Sequence, residues 1–75
     1  MEKELLNKGY KEGNNCYWKV IDDVTIYFNM DDDKTFTTVS IEFNRYGGSE
    51  LVLYDNMEYV ESIEDVEEEV LDIMN

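Results

Sequence analysis

The chain has 75 residues, with 19 Asp and Glu against six Lys and Arg, no His, and a formal net charge of −13. That length holds one domain, residues 1–75, and a chain this short buries only about 60% of the surface it exposes when unfolded. The charge repels nucleic acid and anionic membrane surfaces alike, so neither is expected as a direct partner, and a basic protein is favoured instead.

Composition bears on class and compartment. A hydrophobic share of 43% with ten aromatic residues is enough for a core. The single Cys16 excludes an internal disulfide and reads as a small buried hydrophobe of a cytosolic protein. The start, MEKELLNKGY, carries charges where a secretory signal needs an apolar run, and no stretch reaches transmembrane length. A soluble, cytoplasmic protein is expected. The absence of Ala, Pro, Gln and His beside seven Asn suits an AT-rich bacterial or phage genome.

In chain order, Met1 to Lys8 carries Leu5 and Leu6 among helix formers, with Gly9 as the stop. Tyr10 to Glu12 reads as a short strand before the turn residues Gly13-Asn14-Asn15. Cys16 to Ile21 and Val24 to Met30 are β-rich runs separated by Asp22-Asp23, the pattern of a hairpin. In the second run Val24, Ile26, Phe28 and Met30 share one face, while Thr25, Tyr27 and Asn29 take a wet one.

After the turn at Asp31-Asp32-Asp33-Lys34, Thr35 to Phe43 forms the next strand. Phe36 is out of phase with Val39, Ile41 and Phe43 and predicts a bulge or an exposed aromatic. Asn44 to Gly48 is a loop, and Ser49 to Tyr54 is a strand with Leu51 and Leu53 on one face. Ser62 is the N-cap candidate of a last helix, with Asp65 three residues on and Ile63, Val66, Val70, Ile73 and Met74 as its core stripe. The fold class is therefore α+β. It comprises a three- to four-stranded antiparallel sheet, a short N-terminal helix, and an acidic C-terminal helix packed on one face.

No catalytic residue, metal site or cofactor is expected. Without His there is no Ser-His or Cys-His nucleophile pair, and a lone Cys does not make a zinc site. Gly47-Gly48 lacks the Lys and the following helix of a phosphate loop. A calcium loop laid over Asp31 to Glu42 has acids at its first, third and twelfth positions, but Phe36 stands where the sharp turn needs Gly. Carboxylate pairs can be drawn from 19 acids at will and carry no information.

The acids themselves carry more. All six bases lie within residues 1–45, and residues 46–75 hold ten acids and no base. Within the last helix Glu61–Asp65, Glu64–Glu68, Asp65–Glu69 and Glu68–Asp72 are like-charge pairs four residues apart, each costing about 0.2–0.5 kcal/mol at low salt. Asp72 also sits at the helix end where the dipole disfavours an anion. Such a row of anions suits a groove lined with Lys and Arg. Candidate partner-binding residues are therefore Glu61, Glu64, Asp65, Glu67, Glu68, Glu69 and Asp72, with the turn acids Asp31, Asp32 and Asp33. The tyrosines Tyr10, Tyr17, Tyr27, Tyr46, Tyr54 and Tyr59 cannot all be buried, and exposed Tyr makes a good interface anchor.

In size, charge, sheet-plus-helix plan and the acidic segment ESIEDVEEEVLD, the chain resembles the small acidic anti-CRISPR proteins of bacteriophages. The resemblance implies a DNA mimic that occupies the nucleic-acid or PAM-reading site of a CRISPR effector, in a host bacterial cell. Such effectors hold nucleic acid in positively charged channels. The alternative is a small structural or regulatory interaction module whose open sheet face or strand edge pairs with a partner or with a second copy, a homodimer then being sensitive to Tyr27 or Tyr54, with the acids serving solubility.

Overall fold

The alternation of Val24, Ile26, Phe28 and Met30 brings an apolar side chain to the same side of a strand at every second residue, and all four are buried. This strand, β3 (Val24–Met30), is the middle of the sheet. The computed structural model describes the backbone of residues 1–75 and every side chain except that of Tyr46. The expectation for Tyr46 therefore lies outside the described residues. Around β3 stand β1 (Lys11–Gly13), β2 (Cys16–Ile21), β4 (Phe36–Phe43) and β5 (Ser49–Tyr54), preceded by α1 (Glu2–Asn7) and followed by α2 (Ile63–Met74).

The class is α+β, and the sheet is an antiparallel meander in the order β1-β2-β3-β4-β5. It has five strands where three or four were expected. The one left out of that count is β1, read from the sequence as a short strand at Tyr10 to Glu12 and found one residue later, where it pairs Lys11 with Trp18, Glu12 with Tyr17 and Gly13 with Cys16. Three residues are too few to show an alternation in the sequence.

Turn chemistry sets the register. Between β2 and β3 a two-residue loop joins the paired Ile21 and Val24, and Asp22 takes the left-handed φ of +52° that such a loop needs at its first position. Between β3 and β4 the Asp31 carboxylate accepts the backbone N–H groups of Asp33 and Thr35 at 3.0 and 2.9 Å. A register shift after Asn29 leaves Thr37 without a paired partner and returns Phe36 to the position opposite Met30. The phase break at Phe36 is thus a bulge, and the ring packs on the core, 6.0 Å from that of Tyr17. A second shift lies between Val39 and Ser40 and skips Leu53. Leu53 and Tyr54 pack on the core, while Leu51 is 44% exposed, so Leu51 and Leu53 do not share an environment.

The N-terminal helix ends as a Schellman motif. Tyr10 N–H donates to Leu5 C=O at 3.0 Å and Gly9 N–H to Leu6 C=O at 3.1 Å, with Gly9 at φ +90°, where only glycine is unstrained. Leu5 and Tyr10, the two residues this motif brings together, are both buried. At the other end of the chain Ser62 Oγ accepts the Asp65 N–H at 3.1 Å and caps α2 as expected.

Ile63, Val66 and Val70 of α2 are buried and Met74 packs beside them, but Ile73 is 39% exposed, so the stripe is narrower than its spacing suggests. Both helices lie on the Val24–Met30 side of the sheet. Cys16 is only half-buried, because it points with Trp18, Tyr27 and Asn29 to the uncovered side. No helix is long and apolar enough to cross a membrane.

Two substitutions test this core. Phe28→Ala removes a fully buried ring and is expected to cost about 3–5 kcal/mol, leaving the chain largely unfolded by circular dichroism. Ser62→Ala is expected to cost about 1 kcal/mol, read as a lower urea midpoint with an unchanged slope.

Candidate functional site

Helix α2 carries carboxylates on both flanks of its apolar stripe, and the two flanks meet different surroundings. On the side of α1, Glu67 is turned inward with 18% of its side chain exposed. A carboxylate so placed needs partners, and it has three. Tyr10 donates its hydroxyl to Glu67 Oε2 at 2.9 Å, Lys19 Nζ donates to the same oxygen at 3.2 Å, and Lys8 Nζ stands 3.7 Å from Oε1. Lys8 also reaches Glu64 at 3.1 Å. Burial and then the Glu67 carboxylate push the Tyr10 hydroxyl far above its ordinary pKa. Glu64 is held below the usual carboxylate range by a hydrogen bond from its own backbone N–H and by Lys8.

The other flank has no base. Glu61, Asp65, Glu68, Glu69 and Asp72 line a groove of about 330 Å³ whose remaining lining residues are Tyr54 and Tyr59. Tyr54 reaches it from the end of β5, where the register opposite Val39 turns it to the helix side. Tyr59 arrives on a 3₁₀ turn, Met57–Tyr59, set by the Asn56 carboxamide accepting the Glu58 N–H at 2.9 Å. Met57 and Val60 pack on the core and leave Tyr59 outward, 67% exposed. Burial, followed by the charges of Glu69, Asp65 and Glu61, raises the Tyr54 pKa.

Two of the like-charge pairs, Asp65–Glu69 and Glu68–Asp72, therefore fall in one groove, joined by Glu61, which precedes the Ser62 cap and so forms no helical pair with Asp65. Together the two pairs cost about 0.4–1.0 kcal/mol at low salt. The Glu64–Glu68 pair is relieved by Lys8 at Glu64. Chemically the groove offers carboxylates to a cation and two phenol rings whose faces attract one.

The structure thus divides the candidate residues. Glu61, Asp65, Glu68, Glu69 and Asp72 come together, whereas Glu64 and Glu67 are engaged within the molecule. Asp31, Asp32 and Asp33 lie in the β3–β4 turn and do not line the groove, and one carboxylate oxygen of Asp31 already serves two backbone N–H groups. Asp22 and Asp23 sit at the opposite end of β3, with Asp23 paired to Arg45. Among the described residues no group of three or more acids or thiols is placed to hold a metal ion. Tyr54 and Tyr59 were candidates only as generic interface anchors, since the place of Tyr54 depends on the register shift between β4 and β5 and that of Tyr59 on the 3₁₀ turn.

Comparison of the chain with family models, with curated proteins and with solved structures finds no match.

Two titrations check this geometry. A phenol whose folded pKa exceeds its unfolded value, ordinarily 10.0, gives stability that is complete below pH 10 and is lost as the pH rises above it. Tyr10→Phe should lower stability at neutral pH by about 1.5–3 kcal/mol, through a lost hydrogen bond to a charged group. It should also flatten the alkaline loss in urea melts from neutral pH upward, leaving the slope from Tyr17, Tyr27 and Tyr54, whose pKa values burial also raises. In a spectrophotometric titration, Asp65→Asn with Glu69→Gln should bring Tyr54 down toward its ordinary value; an unmoved Tyr54 would contradict the groove.

Proposed function

We propose that this chain is an acidic inhibitor of a basic nucleic-acid-handling protein, with a CRISPR-Cas nuclease as the favoured target. It blocks the DNA- and PAM-binding site by standing in for nucleic acid. The observation that carries this reading is the sorting of charge on α2: the chain's own Lys8 and Lys19 are drawn to Glu64 and Glu67, while five carboxylates on the other flank are left to a groove without a base.

Along a helix rising about 1.5 Å per residue, Asp65, Glu68 and Asp72 present one anion every 4.5–6 Å or so, with Glu61 ahead of the helix cap in the same groove. A channel built for a phosphate backbone presents Arg and Lys to such a row, and Arg side chains that read a PAM are natural partners for carboxylates. Tyr54 and Tyr59 add ring faces on which a guanidinium stacks. The mechanism is occupation, with no bond made or broken.

The test uses fluorescence anisotropy of a labelled duplex with a panel of Cas9-type nuclease–guide complexes. DNA affinity should fall when the chain is added, and the inhibition should weaken as salt rises. The combined reversal Glu61→Lys, Asp65→Lys, Glu68→Lys and Asp72→Lys should reduce inhibition by about a hundredfold or more. Reversal of Asp32 and Asp33, outside the groove, should change it less than about tenfold. Unchanged DNA affinity across the panel, or inhibition that survives the fourfold reversal, removes the proposal.

A further inference from the structure

The face of the sheet opposite the helices is organised differently from the rest of the molecule. Strand register puts Lys11, Trp18, Tyr27, Ser40 and Val52 in one row across it, with Val20, Thr25, Glu42 and Glu50 in the next. Of the 19 acids in the chain, the strands turn only Glu42 and Glu50 to this side, against Lys11. A molecule of net charge −13 thus has one broad face that is almost neutral.

Val20 and Val52 are 51% and 57% exposed there, and Trp18 and Tyr27 lie between them, half-buried. Several polar groups of the face already satisfy one another. Tyr27 donates to Glu42 at 3.0 Å, Asn29 donates to Thr38 and Ser40 at 3.1 and 3.0 Å, and Asn44 donates to Thr25 at 3.2 Å. Because these bonds run sideways within the face, covering it strands few groups, and the Trp18 indole N–H is the uncharged donor that the covering surface has to meet.

We infer that this face is a homodimer interface, in which a second copy of the chain packs sheet to sheet about a twofold axis parallel to the strands beneath β3. The charges select that arrangement. Lys11 is on the β1 edge and Glu50 on the β5 edge, with Glu42 next to it on β4. A twofold along the strands lays β1 of each copy over β5 of the other, so Lys11 of one meets the Glu50 edge of its mate, twice. A twofold perpendicular to the strands would stack Lys11 on Lys11 and Glu50 on Glu50. In the favoured arrangement Tyr27 stacks near Tyr27 at the axis and Trp18 lies over the Ser40–Val52 side of the mate.

The size is that of a small interface. Five strands about 4.8 Å apart and about 20 Å long give roughly 480 Å² per partner in projection, and more as corrugated surface, near the lower bound of about 1,000 Å² in total for a specific contact. The remaining strand acids point away from the contact; like charge approaches only at its two solvent-exposed ends, where the Asp22-Asp23 and Asp31-Asp32-Asp33 turns that flank β3 lie near their own copies and are screened by salt.

Sedimentation of the full chain between about 5 and 500 µM tests this directly. The expected species at the upper end has twice the 8.9 kDa mass of the chain. Tyr27→Lys should weaken association by about a hundredfold or more, because two cations then meet at the axis, and Val52→Lys gives a second disruption at an exposed position. Circular dichroism confirms that each variant is folded.

Lys11→Glu alone and Glu50→Lys alone should each weaken the dimer, and the double swap should restore it. Alkylation of Cys16, which shares the face, should slow with rising protein concentration. A chain that stays monomeric throughout, or a dimer indifferent to both Tyr27→Lys and the charge swap, overturns the inference. Neither result touches the acidic groove, which lies on the other side of the sheet.

Discussion

The placement of Glu67 governs the rest of this molecule. A half-dozen carboxylates flank the apolar stripe of α2, and nothing in their chemistry says which should face inward. The inward position has to neutralise a charge held away from water, which is costly unless donors are already in place. Tyr10, Lys19 and Lys8 supply them from three separate segments, with Tyr10 and Lys19 bonded to one oxygen of Glu67 and Lys8 near the other. The Schellman turn at Gly9 brings Tyr10 beneath the helix, and β2 carries Lys19 on the same side as Tyr17. Once Glu67 is clamped, the roll of α2 about its axis is set, and so is the flank that remains unpaired.

Much of this was legible in the sequence where one element speaks for itself. The alternation from Val24 to Met30, the two-residue loop at Asp22-Asp23, the disturbance at Phe36 and the cap at Ser62 all depend on neighbours within a few positions. The strand at Lys11–Gly13 was partly visible, as a short strand one residue out of place, but three residues are too brief to show an alternating pattern. What could not be read was which acids would be neutralised. Glu64 and Glu67 look no different from Glu68 and Glu69 as letters, and only the approach of Lys8, Tyr10 and Lys19 to one flank of α2 separates them. Cys16 was misplaced for a related reason, since an apolar run in a strand does not reveal which of its faces is covered.

The two sides of the sheet are held together by different physics. The helix side is a conventional apolar core edged by ion pairs, and it concentrates the charge of the molecule along one groove. The other side is nearly neutral, and its polar groups are bonded laterally to each other. The segregation keeps the self-repulsion of the acids away from the face that exposes Val20 and Val52. High ionic strength therefore acts on the two sides in opposite senses: it screens attraction of cations to the groove and relaxes repulsion between whole molecules.

The meander order has a kinetic consequence. Every strand pairs with its immediate neighbour in the chain, so the sheet forms through short loop closures, and the absence of Pro removes the slow isomerisation that delays many small domains. The contact between Tyr10 and Glu67 spans 57 residues and bears the largest loop-closure entropy of the hydrogen bonds described. It belongs to the docking of the two helices over a sheet already paired. The clamp then acts chiefly on the lifetime of the native state, slowing the departure of α2, and contributes little to the rate at which the chain first folds.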